Sequence, residues 1–216
     1  MCREISFPHL LTHQHNNPSE FSGGFFFAML RYYIIHKPFR ILSQFSPVAG
    51  KHTLKDITDL AADVYPVGRL DYESEGLLIL TNDPTVNNRL LNPAFSHERE
   101  YWVQVDGAID SKALAALEAG VRINIDGADY TTKKCNAQVF VEAPSVSVRN
   151  PPIRYRKNIP ASWIRLILTE GKNRQVRKMT AAVGFPTLRL IRYRINSLTL
   201  DGLEPGHIRS ISLKEI

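Results

Sequence analysis

Arg69 and Asp71 flank Leu70 in the stretch Val67–Asp83, VGRLDYESEGLLILTND. A carboxylate can act as nucleophile or general base, and a guanidinium beside it keeps it ionised and aimed. In extended chain the two polar side chains point to one face, and Leu70 points the other way into a core. One fixed carboxylate, one guanidinium and one apolar anchor are the parts of a reaction centre. The same residues also describe a surface ion pair at a sheet edge, which is commonplace and weak. Asp71 with Glu73 or Glu75 would furnish a third arrangement, the carboxylate pair of a glycosidic-bond hydrolase.

Such a side chain must be held by its neighbours. VYPVG (64–68) and GLLILT (76–81) read as buried strands enclosing the polar connection 69–75, a junction able to hold a side chain rigidly at a sheet edge. RYYIIH (31–36) predicts a strand ended by Lys37-Pro38, and residues 39–52 a loop or irregular strand. Thr53–Ala62 predicts a short helix capped by Thr53, with Leu54, Ile57 and Leu60 on one face. Asp83-Pro84 starts another, carrying Val86, Leu90 and Leu91 inward and ending before Pro93. Glu100–Asp106 alternates as a strand with Tyr101, Val103 and Val105 on one face. Asp110-Ser111 caps a helix bearing Leu114 and Leu117, which Gly120 stops. Two or three strands follow across Val121–Val141, turning near Asp126-Gly127. Pro144–Pro160 is a basic, proline-bearing loop, long enough to suggest a function. Trp163–Thr169 returns as a strand. Asn173 caps a helix from Arg174 to about Ala182, with Val176, Met179 and Val183 inward and Gly184 as its stop. Thr187–Arg194 and His207–Leu213 close the chain as strands.

The chain has 216 residues and 44% hydrophobic content, enough for an ordinary globular core. Its 27 Lys and Arg against 21 Asp and Glu give a net charge of +6, which permits a polyanionic partner without demanding one. The distribution says more. Between Arg149 and Lys178 every charged residue except Glu170 is basic. Cys2 and Cys135 have no metal-ligand spacing and form no disulfide framework, so a reducing, cytoplasmic location is expected. No apolar run approaches the ~20 residues of a membrane span. Residues 1–28 carry no hydrophobic period and lack the pattern of a signal peptide. They are expected to be a leader or a disordered tail, with Met29 as the natural start and 29–216 as the working domain. His9, His13 and His15 have no carboxylate or thiol cluster to complete a metal site.

GRLD followed by SEGLLILTND resembles the signature of RNA pseudouridine synthases of the small-subunit synthase type, and the likeness runs from about Tyr32 to Leu213. His36-Lys37-Pro38, REYWVQV, NPPIRYRKNIPASW and EGKNRQVRKMTAAVGFPTLRLIR carry it further. The resemblance implies an α/β (α+β) pseudouridine synthase fold: a mostly antiparallel mixed sheet, flanking helices and a central cleft. A smaller lobe from about 30–40 and 96–160 is expected within it. Many relatives carry an S4-type RNA-binding domain before this region, and none is expected here.

The implied reaction breaks the N–C bond of uridine and makes a C–C bond to C5 of the same base. It involves no net redox change and consumes no water, so neither cofactor nor metal is required. The resemblance makes Asp71 the catalytic residue, as nucleophile at C1′ or base at C2′. Arg177 is its expected salt-bridge partner, with Arg174 as the runner-up. Tyr101 is the aromatic floor under the uracil, against the plainer reading of a core tyrosine on a strand. The target uridine must be flipped out or already unpaired, as in a stem-loop, and Arg69 can fill the vacancy. Phosphate contacts are expected from Arg154, Arg156, Lys157, Lys172, Arg174 and Lys178, with Tyr155 and Trp163 interleaved. The implied partner is large-subunit (23S) ribosomal RNA, bound by a monomer. The competing readings are a non-catalytic ribosomal RNA-binding assembly factor and the glycosidic-bond hydrolase.

Overall fold

The apolar run around GLLILT becomes a strand with all seven residues buried, which requires covering layers on both faces of its sheet. The computed structural model describes residues 29–153 and 160–216. In chain order the first half comprises β1 (Tyr32–Lys37), β2 (Ile41–Leu42), β3 (His52–Thr53), β4 (Tyr65–Pro66), β5 (Glu75–Thr81), α1 (Pro84–Leu91), β6 (Arg99–Asp106) and α2 (Ser111–Ala119). The second half comprises β7 (Arg122–Ile125), β8 (Ala128–Thr131), β9 (Asn136–Val139), β10 (Ala161–Leu168), α3 (Gln175–Ala182), β11 (Thr187–Ile195), β12 (Leu198–Thr199) and β13 (Ile208–Ser210). A nine-stranded sheet runs β13-β1-β5-β11-β6-β10-β9, with β4 added on β5 and β12 on β11. Its pairings are antiparallel except β5 with β11. This is the mixed, mostly antiparallel sheet expected.

The parallel pair depends on Gly76, at φ +118°. A Cβ there would stand 2.4 Å from the Arg192 carbonyl oxygen, so only glycine lets β11 lie this close to β5. Ile79, Val86, Leu90, Ile191 and Ile195 pack between the sheet and α1. Val103, Val105, Leu117, Ile164, Leu166 and Met179 fill the space under α2 and α3. Each such aliphatic side chain contributes roughly 1.5–3 kcal/mol by leaving water. Asp83 caps α1 as expected, accepting from the Thr85 amide at 2.8 Å. The hairpin of β7 and β8 turns through Asp126 and Gly127, both at positive φ.

Three local expectations need correction. The helix expected over Thr53–Ala62 is a single 3-10 turn, Leu54–Asp56. Thr53 and Asp56 form a capping box that nucleates it, but Val64, 3% exposed, is drawn into the core and the chain turns away to reach β4. The cap of α3 is Arg174 rather than Asn173, at φ 52°. Gln175 bends back so that its Oε1 accepts from the Lys172 amide at 2.9 Å, and this tight turn replaces a side-chain cap. Leu91, expected inward, is 46% exposed at the end of α1. Arg154, Tyr155, Arg156, Lys157 and the segment 1–28 lie outside the described residues. No helix of the described residues is long and apolar enough to cross a membrane.

Candidate active site

Leu70 anchors the loop between β4 and β5, only 7% exposed. The buried hydroxyl of Ser43 both accepts from the Leu70 amide at 3.0 Å and donates to the Leu70 carbonyl at 2.9 Å. The Arg40 amide donates to the Tyr72 carbonyl at 2.8 Å, and Ser74 closes a turn on the Asp71 carbonyl at 3.0 Å. The backbone on both sides of Asp71 is therefore tied down, while its side chain stays one-third exposed. This is the geometry read from the sequence: apolar anchor inward, carboxylate outward.

Asp71 opens onto a cavity of about 360 Å³. Tyr101 lines it, 8% exposed on β6, as do Arg69, Arg99, Lys172, Arg174 and Arg192. A pocket of this size suits one small planar group. Its walls carry an excess of cations, which favours an anionic ligand. Lys178 is half-buried on α3 and is not among the cavity walls, and Trp163 is half-buried against the core.

The Arg177 salt bridge expected at Asp71 is replaced by its runner-up. Arg174 Nη1 stands 3.9 Å from Asp71 Oδ2, and its Nη2 donates to Glu73 at 3.1 Å. The left-handed turn at Arg174 throws its side chain across the cleft to the Asp71 loop. Arg177 donates instead to the Glu73 backbone carbonyl at 2.7 Å, and its buried Nε has no acceptor among the described residues. Burial, then the neighbouring Arg174, lowers the Arg177 pKa, while Glu73 and Asp71 oppose the shift. Glu73 and Arg177 thus brace the loop, and Arg174 faces the carboxylate.

The opposite wall is organised by Glu170, 7% exposed. It accepts from the Tyr130 hydroxyl, from the Lys133 amide at 2.9 Å and from Gln175 Nε2 at 2.6 Å. Hydrogen bonding to Glu170, then burial, pushes the Tyr130 hydroxyl up to about 12, so it stays a proton donor. Lys172 lies over the Tyr130 ring, 5.3 Å from its centroid. Of this wall, sequence reasoning named only Lys172 and missed Tyr130, Lys133, Glu170 and Gln175. Its one signal was Glu170 itself, the lone acid in a basic stretch.

Arg192 was missed as well. It is 5% exposed and pairs with Tyr101 across β11 and β6. Its Nε donates to the Leu77 carbonyl at 2.8 Å, and its Nη2 has no acceptor among the described residues. Among those residues no group of three or more His, Cys, Asp or Glu is arranged to hold a metal ion.

A family model described as RNA pseudouridylate synthase matches residues 31–182. The chain is 45% identical over 180 residues to ribosomal large subunit pseudouridine synthase E of Vibrio parahaemolyticus, covering 83% of this chain and 73% of that one. It is 46% identical over 174 residues to the protein of the same name from Xanthomonas axonopodis pv. citri, covering 80% and 89%. Its fold is similar to a crystal structure of pseudouridylate synthase, with a TM-score of 0.70 at 23% identity over 86% of this chain and 72% of that one.

Proposed function

As this chain belongs to the RNA pseudouridylate synthase family and is an RNA-modifying isomerase, we propose that it converts one uridine of large-subunit ribosomal RNA with Asp71 as the reacting carboxylate. The observation that carries this is the setting of Asp71. Its backbone is pinned on both sides, its side chain is one-third exposed and faces Arg174, and it shares with Tyr101 a cavity lined by an excess of cations.

The chemistry follows from that setting. The N1–C1′ bond of the bound uridine breaks, with Asp71 acting at C1′ or at C2′–H. The base stays in the cavity lined by Tyr101, rotates, and bonds through C5 to C1′, which releases Asp71 from C1′ or, on the other route, returns the proton from Asp71 to C2′. C5 then gives up its proton and N1 gains one. Arg174, 3.9 Å away, faces the Asp71 carboxylate across the cleft. Arg69 is exposed at the rim, placed to fill the gap left when the uridine swings out of its stack. Lys172 and Arg174 line the cavity as candidate phosphate contacts, and Arg154, Arg156, Lys157 and Lys178 are proposed for the same role from the sequence. We read the protein as a monomer acting in the cytoplasm.

The test is a carbodiimide-stop map of pseudouridines on large-subunit ribosomal RNA from cells lacking the gene, complemented with wild type or with Asp71→Asn. One stop should vanish in the deletion and return only with wild type. Persistence of every stop overturns the large-subunit substrate, and restoration by Asp71→Asn removes Asp71 from the chemistry. Release of free uracil would favour a hydrolase.

A further inference from the structure

We infer that Arg192 holds and stabilises the uracil ring while it is detached from the ribose. This rests on the synthase reading above and assigns it a residue that the sequence motifs did not single out.

The inference begins with an imbalance. Arg192 is buried, yet no carboxylate pairs with it among the described residues. Burial lowers its pKa most, and the groups that then act on its charge are Tyr101, in part through a side-chain hydrogen bond, and Arg99, not an acid. Of its donors, Nε has a backbone carbonyl and Nη2 has nothing. A buried charge with unmet donors is costly and is retained where a ligand completes it. Three residues earlier on the same strand, Arg189 has both needs met by Glu75, so β11 does not impose the deficit. Arg192 lines the cavity beside Tyr101 and on the same walls as Asp71, so the group that completes it is the one that occupies the cavity.

Uracil supplies what is missing. When the N1–C1′ bond breaks, its electron pair goes to N1 and spreads onto O2 and O4. This holds whether Asp71 bonds to C1′ or removes the C2′ proton. The ring carries that negative charge until C5 bonds to C1′. A guanidinium N–H donating to a ring carbonyl inside the cavity therefore strengthens on going from bound uridine to detached base. Such an interaction raises kcat and leaves KM nearly unchanged. No proton is transferred from Arg192, and no further reactant is needed.

The experiment is a cycle between side chain and substrate atom. Wild type, Arg192→Gln and Arg192→Lys are assayed on a synthetic oligoribonucleotide spanning the target uridine, and on the same RNA with 2-thiouridine or 4-thiouridine at that position. Arg192→Gln should lower kcat about 10²-fold with KM changed less than about 3-fold. A thio substitution at the contacted carbonyl should slow wild type and slow Arg192→Gln no further. If Arg192→Gln fails to give a folded far-ultraviolet spectrum, Arg192→Lys carries the same comparison, because it keeps the charge and displaces the donors. Wild-type kcat in a folded variant, or thio penalties equal in wild type and variant, overturns the inference. If wild type converts the unmodified uridine in neither this RNA nor intact ribosomal RNA, the synthase reading itself fails and takes this assignment with it.

Discussion

Arg189 and Arg192 lie three residues apart on β11, equally buried, in opposite circumstances. Arg189 is at the closed end: Nε and Nη2 reach the two carboxylate oxygens of Glu75 at 2.9 and 2.8 Å, and Nη2 also reaches the Ser147 carbonyl. Arg192, on the cavity wall, has one carbonyl, the Tyr101 side chain and an idle donor. The first arginine is spent within the fold. The second is kept for something outside it. Burial alone therefore does not separate a structural charge from a working one; the inventory of partners does.

That contrast can be broken in measurable ways. Arg189→Met leaves Glu75 buried and unpaired, and should destabilise the protein by about 3–5 kcal/mol in a urea titration. Adding Glu75→Met should recover most of that loss, since a matched apolar pair often replaces a buried ion pair at little cost. Arg192→Gln should change stability by no more than about 1–2 kcal/mol, because only its hydrogen bonds to the Leu77 carbonyl and the Tyr101 side chain are at risk. If Arg192→Gln proves as destabilising as Arg189→Met, the two positions are alike and the contrast fails.

Lys37 sharpens the comparison as a third buried cation. It is 0% exposed, and its Nζ donates to the carbonyls of Pro38 and Ile41 at 2.9 and 2.8 Å. Burial pushes its pKa down from 10.5 to about 7, against the pull of Glu75 and Asp71. A base whose folded pKa lies below its unfolded value binds fewer protons when folded. Stability therefore rises with pH between about 7 and 10.5, and the desolvation cost is full below about 7. Stability profiles of wild type and Lys37→Met should converge or cross as pH rises through that window. Parallel profiles would show that the two carbonyls hold the ammonium as well as water does.

The Asp71 loop was legible because its information is local. Alternation in Arg69-Leu70-Asp71 alone puts the leucine inward and the carboxylate outward, and the loop's own hydrogen bonds to Ser43 and Arg40 finish the placement. The far wall was not legible in the same way. TLRLIRYRI shows basic residues spaced by two and three, and shifts in register beside Arg189 and Arg192 decide where each points. Glu75 looked like a loop acid and is in fact the first residue of β5, buried at 3% by a partner 114 positions away. Arg174 rather than Arg177 faces Asp71 because Gln175 folds back on Lys172, a side-chain choice that helical periodicity does not encode.

Gly76 ties the two arginines to one genetic site. A methyl group there would push against the Arg192 backbone, and β11 would have to move with both Arg189 and Arg192 aboard. The closed pair and the open donor would be misplaced together. A saturation scan should thus find position 76 intolerant of every replacement. No second change elsewhere on β11 should rescue it, because the added Cβ meets only main-chain atoms of Arg192 and offers a suppressor no side chain to trim.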